Sequence, residues 1–202
     1  MGITGGIGSG KTSLAEIFKI LGAVVIDADK VGKKVLENNK NVFKKIINEF
    51  GKDVIEKENK ISRKKLASIV FNYREKLDKL NSIIHPPMIK LIKEEISKEF
   101  KLKRNPMIVV DAALIYEAKM EDKFDYIINV CADVKNRMKR TALKNKISKK
   151  EVERRINSQI LEEIKIKKSH YNIENNGTIE ELKINGEVIF NKILKDFYKF
   201  VN

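Results

Sequence analysis

The chain has one cysteine, three prolines and ten glycines in 202 residues, and no apolar run in it approaches the length that crosses a bilayer. A single cysteine, Cys131, excludes an internal disulfide and a thiolate metal cluster. It falls in the apolar run Ile127-Ile128-Asn129-Val130-Cys131, which reads as a buried strand with a structural thiol. Few Gly and Pro beside a 42% hydrophobic fraction exclude a fibrous or disordered chain. No stretch rich in Pro, Gly and Ser divides the sequence and no repeat recurs along it, so one domain with appendages is expected. The two histidines, His85 and His170, lack ligand spacing, so a histidine metal site is not supported. A charged start followed by an apolar stretch and a small-residue cleavage site is also missing, which leads to the expectation of a cytoplasmic protein with no membrane partner.

Acid is scarce: 28 Asp and Glu face 42 Lys and Arg, a net charge of +14. Residues 133–168 carry +8 of this excess. Clustered cations are the footprint of a phosphate-bearing partner, but the remaining lysines keep company with Asn and Ile on solvent-facing helix positions. No specific nucleic-acid partner is therefore expected.

What is present begins with Gly5-Gly6-Ile7-Gly8-Ser9-Gly10-Lys11-Thr12, which fulfils G-x-x-x-x-G-K-[ST]. Behind it Leu14, Ile17, Phe18 and Leu21 follow the spacing of one helix face, and Gly22 is placed to stop that helix. In such a loop backbone N–H groups from Gly6, Ile7, Gly8, Ser9, Gly10 and onward to Ser13 converge on the phosphates of ATP. Lys11 bridges β and γ, and Thr12 offers its hydroxyl to Mg²⁺. Only Met1-Gly2-Ile3 stand ahead of Thr4 and the loop, so a short first strand is expected.

A second strand, Ala23-Val24-Val25-Ile26, leads to Asp27 and Asp29. The next, Met107-Ile108-Val109-Val110, comes roughly eighty residues later and ends on Asp111, far beyond the dozen or more residues that a simple crossover needs. The patterns between are helical, from Phe43, Ile46, Ile47 and Phe50 to Ile92, Ile96 and Phe100, with Pro86 and Pro87 expected to end one helix. A helical insertion over about 33–103 is the reading. Beyond Cys131 come two basic helices, the second opened by the capping box Ser148-Lys149-Lys150-Glu151 and carrying Val152, Ile156, Ile160 and Ile164. A further capping box, Thr178-Ile179-Glu180-Glu181, opens the last helix. Strands alternating with helices argue for an α/β fold with a parallel sheet flanked by helices.

In such a sheet ligands collect at the carboxyl edge, where Asp27, Asp29 and Asp111 fall. Asp29, the stronger candidate of the first two, can take a proton from an attacking hydroxyl; a helix cap is the alternative. Asp111 can hold Mg²⁺ through water or cap a helix. Arg137 and Arg140 lie on one helix face, with Arg154 and Arg155 on the next, as in a lid that neutralises a transferring phosphoryl group.

Taken in order, Thr4–Thr12, Val25-Ile-Asp-Ala-Asp29, Ile84-His85-Pro86, Arg137-Met-Lys-Arg140, Arg155-Ile-Asn-Ser-Gln159 and Asn175-Asn176-Gly177 resemble the dephospho-CoA kinase family across nearly the whole chain. The resemblance implies a P-loop kinase fold with a helical substrate-binding insertion and a lid over about 134–168. It implies ATP and Mg²⁺, the small-molecule acceptor dephospho-CoA phosphorylated on its ribose 3′-hydroxyl, and Lys11, Asp29 and Arg137 as catalytic residues with Asp29 the general base. Arg140 and Asn175 fall to the nucleotide, Asn175 near the adenine. Lys33, His85 and Glu117 join Asp29 on the acceptor side, and a monomer or weak homo-oligomer is expected. Lys33 stands where the family carries Arg, a point charge in place of a fork. Ala113-Leu-Ile-Tyr-Glu117 replaces a Pro-Leu-Leu-x-Glu pattern, and Ser169-His170 replaces Ala-Asp.

Two other functions compete. A nucleoside monophosphate kinase shares the loop, the carboxylate and the lid. A nucleic-acid-dependent ATPase has only the charge in its favour, and a GTPase lacks its guanine motif, since Asn145-Lys146-Ile147-Ser148 has no acid.

Overall fold

The computed structural model describes residues 1–56, 60–102, 107–145 and 147–201. Residues 57–59 and 103 of the expected insertion, and Lys146 of the expected lid, lie outside these. The chain divides into two compact units, one made of 1–27 and 96–202, the other of 28–95.

The first unit is built on a five-stranded sheet in the order β2-β5-β1-β6-β7, with every pairing parallel. Its strands are β1 (Gly2–Gly5), β2 (Val24–Asp27), β5 (Ile108–Asp111), β6 (Ile127–Cys131) and β7 (Tyr171–Glu174). Strands buried on both faces read as unbroken apolar runs, and all five residues of β6 are buried. The first strand is no shorter than its neighbours: β1, β2 and β5 are each four residues long. Because all the strands run one way, the ends of β1, β2 and β5 bring Gly5, Asp27 and Asp111 to one edge. Asp27 is the register partner of Asp111.

Helix α1 (Lys11–Ile20) follows the glycine loop and buries Leu14, Ala15, Ile17 and Phe18. These residues join Ile3, Val109, Ile128, Val130 and Ile173 of the sheet and Leu182, Phe190 and Ile193 of α9 (Ile179–Val201) in one core. Phe18 meets Phe190 edge to face, with ring centroids 5.2 Å apart. The two basic helices following β6 prove to be three: α6 (Val134–Asn145), α7 (Lys149–Asn157) and α8 (Glu162–Lys168). The fourth-position spacing of Val152, Ile156, Ile160 and Ile164 therefore does not describe one helix. The chain breaks after Asn157, where Ile160 N–H leaves the helical ladder and donates to Glu117.

The second unit holds α2 (Ala28–Asn38), α3 (Lys40–Phe50), the hairpin of β3 (Ile55–Glu56) with β4 (Lys60–Ile61), α4 (Arg63–Val70) and residues 74–95 of α5 (Arg74–Leu102). Asn39 caps α3 by accepting from the N–H groups of Asn41 and Val42. The hairpin was not anticipated, since two strands of two residues leave no alternating pattern. Pro86 and Pro87 do not end a helix: α5 runs through both. Adjacent prolines remove only two donors, and packing of Leu80, Ile83, Ile84, Met88 and Leu91 against a core of Val35, Ile46, Val54 and Leu66 holds the helix together.

Candidate active site

The glycine loop lies between β1 and α1. Gly10 stands at the N-terminus of α1 with φ of 102°, a left-handed conformation that favours glycine, and α1 has neither a side-chain cap nor an acidic residue in its first turn. Its first N–H groups, which no helix can satisfy internally, are thus left to an anion. A Cβ on Gly10 would fall 2.0 Å from Asn175 Nδ2, and one on Gly6 would fall 2.1 Å from an Arg137 nitrogen. Both glycines admit close approach as well as the turn.

Three side chains converge where the loop passes the end of β5. Thr12 Oγ1 donates to Asp111 Oδ2 at 2.8 Å, and Lys11 Nζ lies 3.6 Å from Asp111 Oδ1. Asp111 is 4% exposed. A hydroxyl and a carboxylate side by side are hard oxygen donors of the kind Mg²⁺ selects. Among the described residues no group of three or more His, Cys, Asp or Glu is placed to hold a metal ion.

Helix α6 braces the loop through Arg137. Arg137 Nε donates to Ile7 O at 3.1 Å and its NH1 to Glu162 Oε2 at 3.0 Å. Burial pushes the pKa of the guanidinium down and Glu162 opposes that shift, so the charge is held in place by its partner. Arg140 NH1 donates to Asn175 O at 2.8 Å, and Asn175 Nδ2 donates to Ser9 O at 2.7 Å. Asn175 is buried against the loop itself.

Glu117 is engaged within the protein. Its Oε1 accepts from Ile160 N–H at 3.1 Å and lies 3.3 Å from Lys165 Nζ, with side-chain exposures of 1% for Lys165 and 9% for Glu117. Lys165 also donates to Ala113 O at 3.1 Å. Burial lowers the Lys165 pKa while Glu117 raises it. The pair ties α8 to the segment that follows Asp111. Ser169 and His170 have similar work: Ser169 Oγ bonds Tyr116 OH at 2.8 Å, and His170 Nδ1 accepts from Ile127 N–H at 3.0 Å.

Asp29 and Lys33 belong to the second unit, exposed and one turn apart on α2, and His85 lies partly buried on α5. Two contributors went without a role in the sequence reading. Lys165 was one cation in a basic run, and Gln159 Oε1 accepts from Ile7 N–H at 2.8 Å across 152 residues.

A parallel sheet whose central strand delivers a phosphate loop, faced by an acidic strand end and an Arg-bearing helix, defines a P-loop kinase. A shikimate kinase from Acinetobacter baumannii shares this fold at a TM-score of 0.51 and 13% identity, covering 96% of this chain and 92% of that one. The dephospho-CoA kinase (CoaE) family matches residues 1–181, and the chain belongs to that family. A dephospho-CoA kinase from Carboxydothermus hydrogenoformans is 38% identical over 183 residues, 91% of this chain and 88% of the relative. The structure of a dephospho-CoA kinase from Campylobacter jejuni superposes at a TM-score of 0.69 with 29% identity and 96% coverage of both chains. Among the described residues no helix is long and apolar enough to cross a membrane.

Proposed function

We propose that the chain transfers the γ-phosphoryl group of ATP to the ribose 3′-hydroxyl of dephospho-CoA, with the loop from Gly5 to Thr12 as the donor site. The observation that carries this reading is the convergence of Lys11 and Thr12 on buried Asp111 at the loop, in a chain that belongs to the family.

The N–H groups of the first turn of α1 and those of the loop other than Ile7 and Ser9, which are bonded to Gln159 Oε1 and Gly6 O, take the phosphate oxygens, and Lys11 neutralises the charge that builds between β and γ. Thr12 and Asp111 are the residues that would hold Mg²⁺, which supplies further neutralisation of the phosphates. Asp29 takes the proton from the 3′-hydroxyl as its oxygen bonds to Pγ. The bond from Pγ to the bridging oxygen breaks, and its electron pair leaves with ADP. Arg137, kept charged by Glu162, stabilises the transferring group from the α6 side. Arg140 and Asn175 hold the loop at Ser9 and serve the nucleotide. Lys33 and His85 serve the acceptor, which the unit 28–95 receives; Glu117 serves it indirectly, by fixing the chain after Asp111. The lid is α6 to α8.

The test is turnover by coupled ADP release with dephospho-CoA. Lys11→Ala and Asp29→Asn should each lose about 10²-fold or more in kcat. Near-normal turnover of Asp29→Asn would remove Asp29 as the base.

A further inference from the structure

The apex of the glycine loop is gripped at both peptide groups of Ile7. Its carbonyl accepts from Arg137 Nε at 3.1 Å and its N–H donates to Gln159 Oε1 at 2.8 Å. The second bond spends one of the amides that a phosphate loop would otherwise turn on its ligand. It also settles which way the Gln159 amide faces, because an N–H donor requires the oxygen. With Oε1 held on Ile7, Nε2 on the same carbon is held at the loop too. Gln159 is half-buried, and among the described residues its Nε2 makes no hydrogen bond. A primary amide whose N–H donors make no hydrogen bond to the described residues thus stands beside the glycine loop.

Its position is fixed by the fold. Gln159 sits in the break between α7 and α8, where Gln159 N–H donates to Ile156 O and Ile160 N–H to Glu117. Glu117 is itself anchored by Lys165. The break exists at the cost of helical continuity, and it presents this side chain to the loop.

The N-terminus of α1 takes the inner part of the phosphate chain and Lys11 reaches β and γ, while Ile7 stands at the apex of the loop, four residues before α1 begins, with Gln159 beside it. We infer that Gln159 Nε2 donates to a γ-phosphate oxygen of bound ATP, so that Gln159 adds to Lys11 in separating triphosphate from diphosphate at this site. The inference rests on the reading of the loop as an ATP site.

Calorimetric titration with ADP and with a β,γ-imido analogue of ATP, on wild type, Gln159→Ala and Gln159→Glu, tests it. A hydrogen bond to a charged group is worth enough that Gln159→Ala should weaken the triphosphate analogue about 10-fold or more and leave ADP within about 2-fold. Gln159→Glu keeps an acceptor for Ile7 N–H but replaces the donor with an anion, so it should weaken the analogue further still. A residue that only shapes the loop gives another result: both nucleotides lose affinity in parallel in Gln159→Ala, and Gln159→Glu restores them. Parallel loss, restoration by Glu, or no change in either variant overturns the inference. Wild type that binds neither nucleotide overturns the ATP reading itself, and the inference with it.

Discussion

Thr12 Oγ1 donates to Asp111 Oδ2 across a gap of 99 residues in sequence and 2.8 Å in space. The bond exists because β5 lies beside β1 in the sheet, so that the residue ending one strand faces the helix that follows the other. Asp111→Asn keeps the shape and removes the charge. It should raise the Mg²⁺ concentration for half-maximal activity by about 10–100-fold, read from a magnesium titration at saturating ATP. An unchanged midpoint would remove Asp111 from the metal site.

Gly10→Ala places a methyl where Asn175 Nδ2 already lies and holds alanine at φ of 102°. The strain is on the order of 1–3 kcal/mol, and the displaced Asn175 loses its bond to Ser9 O. Thermal unfolding should show the loss, and ADP titration should show weakened binding. Gly51→Ala is the control, because φ there is also positive, at 84°, with open space around the added carbon. It should be strained yet bind ADP normally.

Glu117 and Lys165 form a buried pair that breaks badly. Removing one partner leaves the other charge without compensation, so Glu117→Ala or Lys165→Ala should each cost about 3–5 kcal/mol. The double variant should lose clearly less than the sum. Urea unfolding of the four proteins gives the coupling; additive losses would mean that the two groups do not depend on each other.

The legible parts of this molecule were local in sequence. The spacing of Gly5 to Thr12 lies within eight residues, and Leu14, Ile17 and Phe18 follow it at helical intervals, so the glycine loop and helix α1 could be read directly. The apolar ends on Asp27 and Asp111 placed both acids at the sheet edge, where they are register partners. What could not be read was made by distant pairing. Nothing near Gln159 points to Ile7, and nothing near Asn175 points to Ser9, 166 residues away. Lys165 looked like its solvated neighbours because only the tertiary fold sets it against Glu117. Pro86 and Pro87 misled for the opposite reason: a strong local signal was overridden by packing on both sides of it.

Cys131 gives a pH test. Burial, with Glu162 and Glu174 nearby, pushes its thiol up from 9.0 to about 11. Native protein should therefore resist alkylation at pH 8, while urea-unfolded protein reacts. From this group the folded state gains stability that is fully present below pH 9.0 and lost as pH rises toward about 11, because there only the unfolded thiol has released its proton. Rapid native-state labelling at pH 8 would contradict the burial.

The acceptor is the central claim, and a product assay addresses it most directly. Purified protein is given ATP, Mg²⁺ and equal concentrations of dephospho-CoA and a panel of nucleoside monophosphates, and the products are resolved by phosphorus NMR and mass. The account predicts one new phosphomonoester, on the ribose 3′-oxygen of dephospho-CoA, formed in step with ADP. Faster formation of a nucleoside diphosphate would contradict it.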